Sequence, residues 1–188
     1  MDRPSISLDM DGVICTPFLG KNIAISRRLG LSPLPADVRE HAAVDSRRAY
    51  ERLRRRYESI RYMGRKPLPD IRAGLAALSQ VRSLVLVTGR SWRAHHLIDR
   101  WLQRYDLARY FDRVLPNNTD VGGPHYKLWT AQRLGHAEHV DDDGSVAYFL
   151  AGHGIRVFLR DWPRNRGLPY PRGVTVYRHL EEVAAAVS

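Results

Sequence analysis

The stretch Ile6–Cys15, ISLDMDGVIC, carries an apolar run straight into Asp9, Met10, Asp11 and Gly12. A carboxylate without partners is unfavourable in a protein interior, so a buried strand normally sheds charge where this one gains it twice. Either the acids cap a turn ahead of Gly12, or they hold something. The choice depends on what the other strands bring to the same place.

Working outward, short strands are expected at Ser5–Asp9, Ser83–Thr88, Ala137–Asp141, Ile155–Leu159 and Val174–Tyr177, with Arg113–Leu115 as a further one. Each is apolar, rich in Val, Ile or Leu, and bounded by Gly, Asp or Arg. Helical spacing covers Ile71–Gln80, Ser91–Tyr105, Tyr126–Leu134, Ser145–Gly152 and His179–Val187. Strand and helix alternate, which predicts an α/β fold with a doubly wound, Rossmann-like parallel sheet. Between Cys15 and Pro69 the pattern is helical with no strand, so residues 16–69 are expected to form a small helical cap inserted after the first strand. Residues 1–15 and 70–188 then make the α/β core.

In an open parallel sheet, ligands bind beyond the carboxyl ends of the strands, where residues distant in sequence converge. The first strand ends in Asp9-Met10-Asp11-Gly12, the second in Thr88-Gly89-Arg90, and the strand near Ala137 in Asp141-Asp142-Asp143. Acids gathered this closely repel one another and are tolerated chiefly around a cation. Hard oxygen ligands point to Mg2+. Gly89 precedes a helix expected to begin at Ser91, whose first amides would suit an anion, and Thr88 adds a hydroxyl donor. Lys127, expected at a helix start, would offset phosphate oxygens. Metal, lysine and amides around one carboxylate describe a phosphoryl-transfer site.

Composition limits the alternatives. The 188 residues are 44% hydrophobic, enough for one domain with a substantial core. The single cysteine, Cys15, excludes an internal disulfide framework and is expected to be an apolar filler. With no leader or long apolar span in view, a cytoplasmic protein without a membrane partner is expected. The net charge of +10 favours anionic partners, from a small phosphorylated substrate to nucleic acid. His95, His96, His125, His136 and His139 lack the paired spacing that zinc would need, and ordinary structural roles are expected for them.

Taken together, DMDGV, the threonine of LVLVTGR, Lys127 and HVDDD resemble, in order, the four motifs of the haloacid dehalogenase (HAD) superfamily. The resemblance implies a HAD-like core with a C1-type cap and a phosphomonoesterase, a hydrolase working through an aspartyl-phosphate. Asp9 would be the nucleophile and Asp11 the general acid, then base. Thr88, Gly89, Arg90 and Lys127 would bind the phosphoryl group. Mg2+ would be held by Asp9, the Asp11 carbonyl and Asp142, with Asp141 in support. The run of three acids leaves the register open, and Asp143 is the alternative ligand. A looser resemblance, over VDDDGSVAYFLAGHGIRVFLRDWPRNRGLP, is to the deoxyribonucleotidase-like branch, and it implies a nucleoside monophosphate.

The arginine-rich insert, SRRAYERLRRRYESIRYMGRK, has too many cations for one helix face, so some must face water while others could grip an anionic leaving group. Three functions therefore stand side by side: a magnesium-dependent phosphatase of small esters, a phosphatase of nucleic-acid ends, and a noncatalytic basic protein that binds nucleic acid on the same fold.

Overall fold

Six parallel strands form one sheet in the order β3-β2-β1-β4-β5-β6 in a computed structural model that describes residues 3–16, 65–119 and 121–188. The strands are β1 (Ser5–Leu8), β2 (Ser83–Ser91), β3 (Arg113–Asn117), β4 (Glu138–Asp141), β5 (Arg156–Arg160) and β6 (Val174–Tyr177). The connecting helices are α1 (Ile71–Val81), α2 (His95–Arg104), α3 (Gly123–Leu134), α4 (Gly144–Ala151) and α5 (Leu180–Val187). This is the expected doubly wound α/β architecture. The cap expected at residues 16–69 lies outside the described residues, apart from its two ends at 16 and 65–69.

Strand periodicity sorts the core into two faces. Ile6, Leu8, Leu84, Leu86, Val140 and Phe158 project to one side, where they pack with Leu75 and Leu78 of α1, Ile98 and Leu102 of α2, and Leu180 and Val183 of α5. On the other side, Val157 and Leu159 meet Leu128 of α3 and Phe149 and Leu150 of α4, while Val85 and Val87 meet Tyr126. Ser7 pairs in register with Val85 on one neighbour and His139 on the other, so Ser7 and His139 share this second face. Asp9 and Asp141 follow two residues on along the same face. A polar seam thus separates the face's apolar clusters and runs up to the carboxyl edge of β1 and β4, where the strand order reverses.

Two expectations about the elements change. Ser91–Tyr105 is not one helix: β2 continues through Ser91, a 3-10 turn follows at Trp92–Ala94, and α2 begins at His95. Lys127 lies in the second turn of α3, because Gly123 and Pro124 start that helix earlier than Tyr126.

Helices α1 and α5 lie against each other through Gly74, where an added Cβ would overlap the Leu180 side chain. Gly74→Ala gains helix propensity but overpacks this contact, and we expect a net loss of about 1–2 kcal/mol, read as a fall of about 3–6 °C in thermal unfolding. An unchanged or raised midpoint would show that the two helices slide apart without loss.

Candidate active site

Asp9 leaves the end of β1 with its amide bonded to the Val140 carbonyl at 2.9 Å, which fixes it level with the end of β4. Lys127 of α3 reaches down between the two strand ends, its Nζ 3.3 Å from Asp9 Oδ1 and 2.7 Å from Asp141 Oδ2. All three side chains are buried. Asp141 is wholly enclosed and fully employed. Its Oδ2 accepts from Lys127 and from His139 Nε2 at 2.8 Å, and its Oδ1 accepts from the amides of Asp142 and Asp143 at 2.9 and 3.0 Å.

These contacts set the charge states. Burial works against ionisation of Asp141, but Lys127 and the His139 hydrogen bond outweigh it and hold the carboxyl well below the usual range. Burial likewise disfavours charge on Lys127, and Asp141 and Asp9 reverse it, so the ammonium is held charged. Burial lowers His139 and keeps the ring neutral despite Asp141. A neutral ring with its proton on Nε2 donates to Asp141 and leaves Nδ1 to accept from the Ser7 hydroxyl, 2.8 Å away.

Asp142 follows the strand end and turns toward β1. Its side chain packs on the Cα of Gly12, whose φ of 70° lies in the left-handed region and where a Cβ would collide with the carboxyl. Arg164 Nη2 donates to both the Asp142 carbonyl, at 2.8 Å, and Oδ2, at 2.9 Å. Asn165 Nδ2 donates to the same carbonyl at 2.9 Å. Burial first, then Asp141 and Asp9, push the Asp142 carboxyl well up, against the pull of Arg164. Asp9 is also raised by burial and by Asp141, with Lys127 opposing.

Asp9, Asp141 and Asp142 can each offer one carboxylate oxygen within 4.8 Å of the others. Buried oxygen donors whose charge is raised in energy by burial and mutual repulsion fit a hard divalent cation such as Mg2+. Because Asp141 already satisfies four protein donors, Asp9 and Asp142 are the side chains better able to ligate. Asp143 has a different place: it is the N-cap of α4, its Oδ1 accepting from the amides of Ser145 and Val146 at 2.8 and 3.4 Å.

Asp11 stands in a tight turn in which the Gly12 amide bonds the Cys15 carbonyl at 3.0 Å. Its carboxylate accepts from Arg90, with Nε 2.7 Å from Oδ2 and Nη2 on Oδ1, and from Arg65 Nη1. Arg90 gets there because the β2–β3 register shifts between Thr88 and Ser91, a bulge that turns Gly89 and Arg90 out of the ladder. The Arg90 amide bonds the Thr88 hydroxyl at 3.3 Å, and Gly89 abuts Gly123 at the start of α3. Amides of a helix starting at Ser91 are therefore not at hand for an anion, since that backbone is strand. Arg90 pairs with Asp11, and Arg164 pairs with Asp142 and Asp143. Cys15 is buried and its thiol is pushed up to about 12 by burial, as befits a filler.

Among the residues expected at a site, the fold unites Asp9, Lys127, Asp141 and Asp142, and sets Asp11, Thr88 and Arg90 beside them. Three contributors were not anticipated: Arg65, His139 and Arg164. His139 was within reach of strand periodicity, since it precedes Asp141 by two residues and so shares its face. No helix among the described residues is long and apolar enough to cross a membrane.

No protein-family model matches the chain, and neither does any curated protein. Solved structures do. A HAD-superfamily hydrolase of subfamily IA from Geobacter sulfurreducens is 17% identical with a TM-score of 0.61, covering 98% of this chain and 99% of that one. A haloacid dehalogenase-like hydrolase from Streptococcus pneumoniae is 15% identical with a TM-score of 0.65, covering 98% of both chains. A protein from Lactobacillus plantarum assigned as a phosphoglycolate phosphatase is 12% identical with a TM-score of 0.65, covering 98% and 99%. At such identities the likeness speaks to backbone architecture: the chain has the fold of the HAD-superfamily hydrolases.

Proposed function

We propose that the protein is a magnesium-dependent phosphatase that hydrolyses a small phosphomonoester through an aspartyl-phosphate on Asp9. The observation that carries this is the contact of Asp9 with Lys127 inside a buried cluster of acids at the strand-order reversal. Asp9 and Asp142, with the Asp11 carbonyl, would hold Mg2+, which supplies positive charge against the phosphoryl oxygens. Lys127 adds a fixed ammonium and restrains the Asp9 carboxylate. That carboxylate attacks phosphorus as the bond to the leaving oxygen breaks, and Asp11 gives its proton to that oxygen. Asp11 then takes a proton from water as the water oxygen attacks phosphorus, which frees phosphate and regenerates Asp9. Thr88 and the backbone around Gly89 are assigned to the phosphoryl oxygens. The looser sequence likeness to deoxyribonucleotidases makes a nucleoside monophosphate the first substrate to test, and a cytoplasmic location fits such a substrate.

Asp9→Asn is expected to keep the fold and reduce phosphate release from any ester to a trace, because an amide cannot form the acyl-phosphate. Phosphate-release assays beside circular dichroism check this, and substantial turnover would remove Asp9 as nucleophile. For the metal, Asp142→Ala is expected to weaken Mg2+ binding by calorimetry about 10-fold or more. Asp143→Ala should instead lower thermal stability by about 1 kcal/mol through loss of the α4 cap, with metal affinity little changed. The reverse ranking would move the ligand to Asp143.

A further inference from the structure

We propose that Arg65 is a positioning residue for proton transfer: resting on the phosphatase function above, it holds the Asp11 carboxyl against the oxygen that leaves. Its place is the observation. Arg65 is only 4% exposed. Its backbone is fixed from α2, because Trp101 Nε1 and Tyr105 Oη both donate to its carbonyl at 3.1 Å. Just beyond it, residues 66–68 run antiparallel to residues 14–16. The Thr16 amide bonds the Lys66 carbonyl at 2.8 Å, and the Leu68 amide bonds the Ile14 carbonyl at 3.0 Å. These bonds close a short ribbon beside the Asp11 turn, and Cys15 bridges Pro67 across it.

From that anchored backbone the guanidinium extends into the site and meets Asp11 Oδ1, with Cys15 Sγ 3.5 Å from the same Nη1. Arg90 meets the same carboxyl from β2. Burial, and Arg90 close by, lower the Arg65 guanidinium to about 10, a cation kept in place against its desolvation. The two-donor fork of Arg90 and a further donor from Arg65, arriving from different elements, fix the plane of one carboxyl more tightly than either does alone. The effect of that plane depends on the leaving group in one step alone, the one in which the Asp9–phosphorus bond forms, the phosphorus–oxygen bond breaks and the Asp11 proton passes to the departing oxygen; the later proton transfer from water is the same for every ester. Arg65 takes no part in the bond changes.

Dependence on the leaving group separates positioning from simple welding of the chain. The alkoxide oxygen leaving an alkyl phosphate needs a proton as it departs, whereas p-nitrophenyl phosphate releases p-nitrophenolate, which departs as a stable anion. Arg65→Met is expected to lower the single-turnover rate of leaving-group release from an alkyl phosphate about 100-fold but from p-nitrophenyl phosphate less than about 5-fold, and Arg65→Lys should recover part of the alkyl rate. If Arg65→Met does not fold by circular dichroism, Arg65→Lys alone decides, with the alkyl substrate again losing more than the aryl one. Equal losses on the two esters in that leaving-group release step, or none, would overturn the positioning role while leaving the phosphatase function standing. Failure of the wild-type protein to hydrolyse either ester would overturn both.

Discussion

Lys127 between Asp9 and Asp141 is the interaction on which the rest of the structure depends. Three charged groups buried together are tolerable only if each is held by the others, and removing one member of such a set typically costs about 3–5 kcal/mol because its partners remain buried. The strength of the arrangement lies in Asp141, whose oxygens are shared among a lysine, a histidine and two amides. It fixes the ammonium, and the ammonium in turn restrains Asp9. The carboxyls left raised by burial, Asp9 and Asp142, are the ones to which a divalent cation would bring the largest relief.

The fold makes this possible through register. Ser7 stands opposite His139, so the face of β1 and β4 that would otherwise be apolar carries a chain of polar groups from the sheet interior to its edge. That chain occupies the space between the apolar clusters formed with α3 and α4 and with Tyr126. Order reversal between β1 and β4 places the end of the seam at the position where open α/β sheets generally bind their ligands.

Much of this was legible in the sequence. Alternating strand and helix gave the doubly wound sheet, and acids at two strand ends marked the edge where the buried acidic cluster forms. What periodicity could not supply was the ending of elements. Thr88-Gly89-Arg90 reads as strand followed by helix, yet the bulge carries β2 on to Ser91 and aims Arg90 at Asp11. The run Asp141-Asp142-Asp143 gives no register by itself; the division of labour follows from Asp141 facing inward, Asp142 meeting Gly12, and Asp143 capping α4. Arg65 lay in an arginine-rich stretch and 54 residues from Asp11, so only its buried contact with that carboxylate singles it out. Arg164 was hidden for the same reason: its partner is 22 residues away across β5.

The central claim is that Asp9 forms a covalent bond to phosphorus, and trapping that bond tests it most directly. Asp11→Asn should still accept a phosphoryl group from p-nitrophenyl phosphate, whose leaving group needs no proton, but should release it slowly for want of a base. Rapid acid quenching followed by mass spectrometry of the proteolysed protein should then find the phosphoryl group on the peptide that contains Asp9. A wild-type protein that turns the ester over, beside a variant that carries no phosphoryl group on that peptide, would contradict the account.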